Sequence, residues 1–182
     1  KILPFSSWKI YQSFGAQNIF SPIIDKNKYF QISEDIFSTI KSKKDVLNLE
    51  IESILVGDLF YDEYLATKSK FTIDINSPDF KNFFIEAVSL FYFWYEYVSK
   101  NKINAVVLSH SVYFVGLLGR ISIANNIPVY QVSWKYAHFL NKEHFIKMSG
   151  FSKGKEEFDK LDQDIKYKLK DLSKKQLENR FK

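Results

Sequence analysis

Two short stretches of this chain hold side chains of the types and spacing that chemistry needs. The first is Ser109-His110-Ser111, followed by Tyr113. It separates an apolar β-branched run, residues 103–108, from a helical pattern that reaches Ala124. Imidazole changes protonation near neutral pH, so His110 can move a proton, or it can help hold an anion beside the open N–H groups of the following helix. The competing reading is a histidine that only bonds the backbone of its own turn. Serine beside histidine does not make a nucleophilic triad, because a triad also needs an acid placed in space. The second stretch is Gly57-Asp58 with Tyr61, Asp62 and Glu63. Asp58 and Asp62 stand four apart on one helix face, and a carboxylate there can take the proton of a hydroxyl. The competing reading makes Asp58 the cap of the helix it begins and the other acids solvated first-turn residues.

The elements that must position these groups follow from hydropathy and punctuation. Residues 103–132 read as a strand, a crossover helix stopped by Asn125-Asn126, and a parallel strand at residues 129–132. The span is about the 30 residues such a unit needs. Parallel pairs are ordinarily covered on both faces, so the unit predicts a layered α/β domain. Ligands of open α/β sheets bind outside the carboxyl ends of the strands, and His110 falls at such an end. Gly116 and Gly119, three apart in the crossover helix, predict a close approach to the sheet, since glycine costs about 1 kcal/mol inside a helix.

Upstream, Ser33-Glu34-Asp35 predicts a helix start, with the helix running to about Lys41 and broken by residues 42–45. Residues 46–56 alternate in part and predict an extended segment ending in a strand. Ser77-Pro78-Asp79 combines a cap, a proline at the first helical position and an acid, and predicts a helix from Pro78 to Ser99. Its phenylalanine-rich face is wide enough to be enclosed by neighbours. Ile19-Phe20 suits a short strand, and residues 133–151 read as irregular. Residues 155–180 predict a helix with a narrow stripe of Phe158, Leu161, Ile165, Leu169 and Leu172, broken near Ser173.

Composition narrows the function classes. A chain of 182 residues with 46% apolar content suits one domain with a sizeable core. We divide it into a domain at residues 1–151 and a charged amphipathic segment at residues 152–182. The eighteen Phe and eleven Tyr, with abundant Lys, Ile and Asn, match the usage of an AT-rich genome and call for no ring-binding surface. Cysteine is absent, which excludes disulfide and thiol chemistry and suits a reducing compartment. The net charge of +5 permits contact with phosphates or an anionic membrane surface but lacks the dense basic stripe of a nucleic-acid partner. The longest run without Lys, Arg, Asp or Glu, residues 103–119, has a polar centre and is poor material for a membrane span. His138 and His144 are six apart and no HExxH occurs, so no metal is expected. GxGxxG, GxxxxGK[ST] and GxSxG are also missing, so no cofactor is expected.

SILVGDLFYDEYL at residues 53–65, with VVLSHSVYFVGLLGRISIANNIPVYQV at residues 106–132, resembles the N-terminal half of bacterial surface-carbohydrate glycosyltransferases of the GT-B architecture. KIYQSFGAQNIF at residues 9–20 fits the opening of that family. A basic residue often follows the Tyr-Leu pair there, and Ala66 stands in its place, which puts any contact made by that residue in doubt. The resemblance implies a Rossmann-like layered acceptor-side domain, with a mainly parallel sheet flanked by helices, facing a donor-binding domain across a cleft. Its partners would be a nucleotide-sugar donor, held by the domain that follows, and a glycan acceptor. The function implied is sugar transfer in capsule or lipopolysaccharide synthesis, in the cytoplasm or at the inner face of the membrane. It implies Asp58 or His110 as the base, with Gly57, Tyr61, Asp62, Ser109, Ser111 and Tyr113 lining the cleft. The charged helical ending at Lys182 is expected to lead toward the second domain. The residues themselves leave a non-catalytic anion-binding or partner-docking α/β module as the alternative.

Overall fold

The computed structural model describes residues 9, 11–13, 15–18, 20, 22–133, 136–142 and 154–180; Ile19 of the expected first strand, and His144, lie outside them. A 3-10 turn at Asn27–Tyr29 runs into helix α1, Phe30–Thr39. The expected start at Ser33 is corrected. Ser33 is buried inside α1, where its hydroxyl donates to the Tyr29 carbonyl at 2.7 Å, a back-bond within the helix and not a cap. Helix α1 stops at Thr39, and Ser42 starts the next helix: it accepts from the Asp45 N–H and caps α2, Lys43–Leu47.

The extended segment expected at residues 46–56 is a hairpin of β1, Glu50–Ile51, and β2, Ile54–Leu55. Its two loop residues, Glu52 and Ser53, have φ of 52° and 60°. A two-residue turn with both residues left-handed has the twist that paired strands need. Helix α3, Gly57–Lys68, and helix α4, Pro78–Lys100, follow. Helix α4 starts where the sequence predicts, with the Ser77 hydroxyl accepting from the Phe80 N–H and Pro78 in the first turn. Phe80, Phe84 and Phe91 on its inner face are fully buried, and Phe84 meets Phe60 of α3 and Phe37 of α1 edge-on.

Strand β3, Val106–Leu108, helix α5, Val115–Ala124, and strand β4, Val129–Ser133, form the predicted βαβ unit, with Val106 paired to Val129 and Leu108 to Gln131 in parallel. Asn126, at φ 59°, closes α5: its N–H bonds the Ile123 carbonyl, and the Ile127 N–H reaches back to Ser122 at 2.9 Å. The sheet itself departs from expectation. Residues 133–151 are not all irregular, because β5, Tyr136–Leu140, pairs antiparallel with β4. Strand β5 begins three positions after β4 ends, too few for the crossover a parallel strand requires. The three-stranded sheet is therefore mixed, with one parallel and one antiparallel pair, and not mainly parallel.

Among the described residues, helices do not cover both faces of the sheet either. Helix α5 packs on the face bearing Val106, Leu108, Val129 and Leu140, while Val107, Tyr130, Val132 and Phe139 on the other face are exposed. The fold is mixed α/β, dominated by helix. Gly116 does allow a close approach, but not to the sheet. A Cβ there would stand 2.5 Å from the Ser111 carbonyl oxygen and 3.0 Å from a Leu59 methyl of α3. The C-terminal segment is two helices, α6, Gly154–Asp159, and α7, Gln163–Arg180, so the break falls at residues 160–162 and not near Ser173. Among the described residues no helix is long and apolar enough to cross a membrane.

Candidate functional site

Helices α3 and α5 are tied to each other at two points. At one, Arg120 of α5 grips Asp58 of α3 with both arms, Nη1 to Oδ1 at 2.5 Å and Nη2 to Oδ2 at 2.6 Å, while Nη1 also donates to the Leu55 carbonyl at 2.7 Å. The guanidinium thus joins the hairpin, α3 and α5. The Arg120 side chain is only 10% exposed and that of Asp58 36%, so the pair is largely shielded from water. At the other, the Phe114 N–H donates to Glu63 Oε2 at 3.0 Å. Phe114 precedes the first turn of α5, and Glu63 satisfies a donor that helix geometry would leave open.

These contacts decide between several sequence readings. Asp58 is not the cap of α3. The helix begins at Gly57 after Val56, without a side-chain capping bond, and Asp58 sits in the first turn with both carboxylate oxygens on Arg120. A carboxylate held in a two-pronged guanidinium grip is fixed in geometry and suited to orienting its surroundings. Gly57 is buried, and a Cβ on it would stand 1.8 Å from the Val46 carbonyl oxygen and 2.8 Å from the Leu49 nitrogen. The expectation that Gly57 lines a ligand cleft is corrected: it lets α3 press against the end of α2. Tyr61 is half-buried and packs on the helical core. Asp62, one turn beyond Asp58, is exposed. Loss of solvent, and then the Asp58 carboxylate, push its carboxyl above the usual range, while Arg120 pulls the other way.

The second cluster sits at the carboxyl end of β3. Ser109 is exposed, and His110 and Ser111 are half-buried. Ser109 Oγ and His110 Nδ1 are 2.9 Å apart, with the proton's place set by the imidazole tautomer. The Tyr113 ring stands edge-on to His110 with centroids 6.3 Å apart. Tyr113 has φ 56°, a backbone conformation that bulky residues adopt only when their surroundings enforce it. Here the neighbouring Phe114 N–H is tied to Glu63. Among the described residues no hydrogen bond joins His110 to Asp58 or Asp62. The two clusters are coupled through α3 and the N-terminus of α5, not through direct contact.

Arg120 and Glu63 were the residues that sequence reasoning missed as partners. Arg120 had a signal: it is the sole formal charge between Lys102 and Lys135, and a lone cation in an apolar helix must find a carboxylate. Glu63 had none, since its partner is a backbone N–H set by the fold. Two cavities beside α5 lie elsewhere. One of about 210 Å³ opens between Ser53, Arg120 and Lys142, and one of about 530 Å³ between Pro128, Phe139 and Lys142. Both border the C-terminal part of α5, and no sequence-predicted site residue lines them.

No family model, no curated protein and no solved structure matches this chain.

Proposed function

We propose that this chain is the acceptor-side α/β domain of a glycosyltransferase of surface-polysaccharide synthesis, with the turn at residues 109–113 as the seat of the acceptor hydroxyl. The observation that carries the reading is the turn itself. At the carboxyl end of a parallel strand, His110 is bracketed by the Ser109 hydroxyl and the Tyr113 ring, with Tyr113 held in a strained conformation. With Nδ1–H donating to Ser109 Oγ, Nε2 is the acceptor, and it takes the proton of a sugar hydroxyl as that oxygen bonds the donor's anomeric carbon and the bond from that carbon to the phosphate oxygen breaks, releasing the nucleotide. Asp58 then serves as a positioning group clamped by Arg120. Asp62, with its carboxyl shifted upward, is the acid of α3 better suited to exchange a proton. The nucleotide-sugar donor belongs to a second domain in this reading, and the reaction would run at the inner face of the membrane.

The anion-binding alternative is disfavoured by Glu63, whose carboxylate already lies where an anion would meet the N-terminus of α5. The partner-docking alternative has one observation in its favour, the exposure of Ile165, Leu169 and Leu172 on α7. The test is titration of isotope-labelled protein with neutral oligosaccharides, followed by amide chemical shifts. Shifts confined to residues 109–115 and Asp62, and lost in His110→Ala, are expected. Shifts centred on Ser53 and Lys142, or none at millimolar sugar, would overturn the reading.

A further inference from the structure

Two polar side chains that the candidate site does not use meet at one mostly aliphatic hollow. The cavity of about 210 Å³ is walled by Ile54 and Leu55 of β2 and by Ile123 and Ala124 at the end of α5. Ser53 and Lys142 also line it, and both are exposed, so the hydroxyl and the ammonium stand at its mouth. Among the described residues neither group has a hydrogen-bond or ion-pair partner. Arg120 lines the same cavity, but its charge is matched by Asp58. No Asp or Glu among the described residues lines it, so Lys142 leaves the hollow with a positive charge to satisfy. The walls are held in place. Ser53 is fixed at φ 60° in the tight hairpin turn, and the Leu55 carbonyl accepts from Arg120 at 2.7 Å, which ties the hairpin to α5. A helix C-terminus ordinarily repels an anion, but here the carbonyls of Ile121, Ser122 and Ile123 are taken by the N–H groups of Asn125, Ile127 and Asn126.

We infer that this cavity binds a short aliphatic carboxylate, with its chain against the four aliphatic walls and its head between Ser53 and Lys142. Small-molecule sites are mostly apolar concavities in which a few convergent polar groups fix the orientation. At about 210 Å³ this one lies below the drug-sized range of about 300–1,000 Å³, so its ligand is small. One ammonium and one hydroxyl match the two oxygens of a carboxylate. A phosphate, with greater charge and more oxygens, would need more donors than the mouth supplies. A neutral sugar would offer nothing to the Lys142 charge and would set its hydroxyls against aliphatic walls. The inference is independent of the sugar-transfer reading, whose ligand is neutral and sits at residues 109–113.

Titration of the isotope-labelled full chain with hexanoate should give saturable amide shifts at Ser53, Leu55, Ile123, Ala124 and Lys142 and none at residues 109–113, with a dissociation constant at or below about 1 mM. Acetate, which keeps the head and lacks the chain, should bind at least about tenfold more weakly. Hexanol should also be weaker, and hexylammonium should not bind. Lys142→Gln should weaken hexanoate about fivefold, as for a charge that water still reaches. Ser53→Gly removes the hydroxyl at a left-handed position that glycine adopts without strain, and should weaken it about threefold. Ala124→Leu, which fills the hollow from an exposed position, should abolish the shifts with the circular dichroism unchanged. Hexanol or hexylammonium binding as tightly as hexanoate, unchanged binding in either Lys142→Gln or Ala124→Leu, or no saturation by about 20 mM would each overturn the inference.

Discussion

On one side of α5, Leu117 and Ile121 are completely buried among α3 and α4, whose aromatic side chains interlock with those of α1. On the other side, Leu118 and Ile123 meet a sheet core of only Val106, Leu108, Val129 and Leu140. The same helix thus joins a thick, ring-filled core to a thin one. Burial is proportional to apolar area removed from water, so the helical side supplies most of the folding free energy. The sheet, open on one face, is held mainly through α5 and its ties to α3. The candidate turn at residues 109–113 lies where the two regions meet, anchored to the stronger one by Glu63. A strained loop persists only where something stiff holds it, and the stiff part here is α3.

The largest separation between the two regions should appear in phenylalanine deletions. Phe84→Ala empties a fully buried site packed by Phe37, Phe60 and Phe80, and should cost about 3–5 kcal/mol in urea unfolding. Phe139→Ala, on the uncovered sheet face, should change the stability of the dilute monomer by less than about 0.5 kcal/mol. Equal losses would mean that the sheet face is covered within the single chain, and the contrast would fail.

Gly57→Ala comes next. The added methyl would collide with the Val46 carbonyl, a backbone atom with no flexible end to move aside, and α3 would have to retreat from α2. A loss of about 3 kcal/mol is expected, at the upper end for overpacking, with lower solubility in the cell as its first symptom. A neutral outcome would show that α2 yields easily and that the helical region is looser than its burial indicates.

What the sequence disclosed, and what it hid, follows the same division. Helix α4 was legible because Ser77, Pro78 and the phenylalanine period are local signals, and each is used as local physics requires. The parallel β3–β4 pair was legible because residues 103–132 contain the whole unit. Strand β5 was hidden. Tyr136–Leu140 alternates only weakly, and its place is set by pairing with β4 rather than by its own pattern. The α2 helix and the tight hairpin at Glu52-Ser53 were read as one extended stretch, because the turn lacks the Asn-Gly or Asp-Gly signature that usually marks it. Of the site, His110, Asp58 and Asp62 could be named from position and spacing, and Tyr113 only through the family resemblance. The Arg120 grip and the Glu63 bond could not, since both depend on how α3 lies against α5.

A smaller effect tests whether Asp58 and His110 do different jobs. Asp58→Asn leaves a guanidinium 10% exposed without its charge partner and should cost about 2 kcal/mol, less than a fully buried pair because Asp58 still touches water. Arg120→Leu combined with Asp58→Asn should cost less than the sum of the two single changes, as expected for partners. His110→Ala should alter unfolding by less than about 0.5 kcal/mol, because its bonds are confined to its own turn. If His110→Ala proved as costly as Asp58→Asn, the turn would be a packing element and its claim as a site would fall.

The least effect should come from the polar edge of α4, where stability depends on charge instead of on buried rings. Glu96 accepts from Lys100 and Lys28, each at 2.5 Å, and from the Tyr29 hydroxyl at 2.7 Å; these bonds, led by Lys100, draw its carboxyl down from 4.5 to about 2. A depressed folded pKa stabilises above the unfolded value and is lost as pH falls through the folded one. The contribution should therefore be full above about pH 4.5 and should fade toward pH 2. Unfolding midpoints of the native chain and Glu96→Gln should differ near neutrality and converge as the pH drops through that window. Salt should shrink the difference, because Lys28 and Lys100 reach water. A gap that persists at low pH would show that Glu96 acts by packing its stem on α4, which would make even this edge part of the ring-filled core.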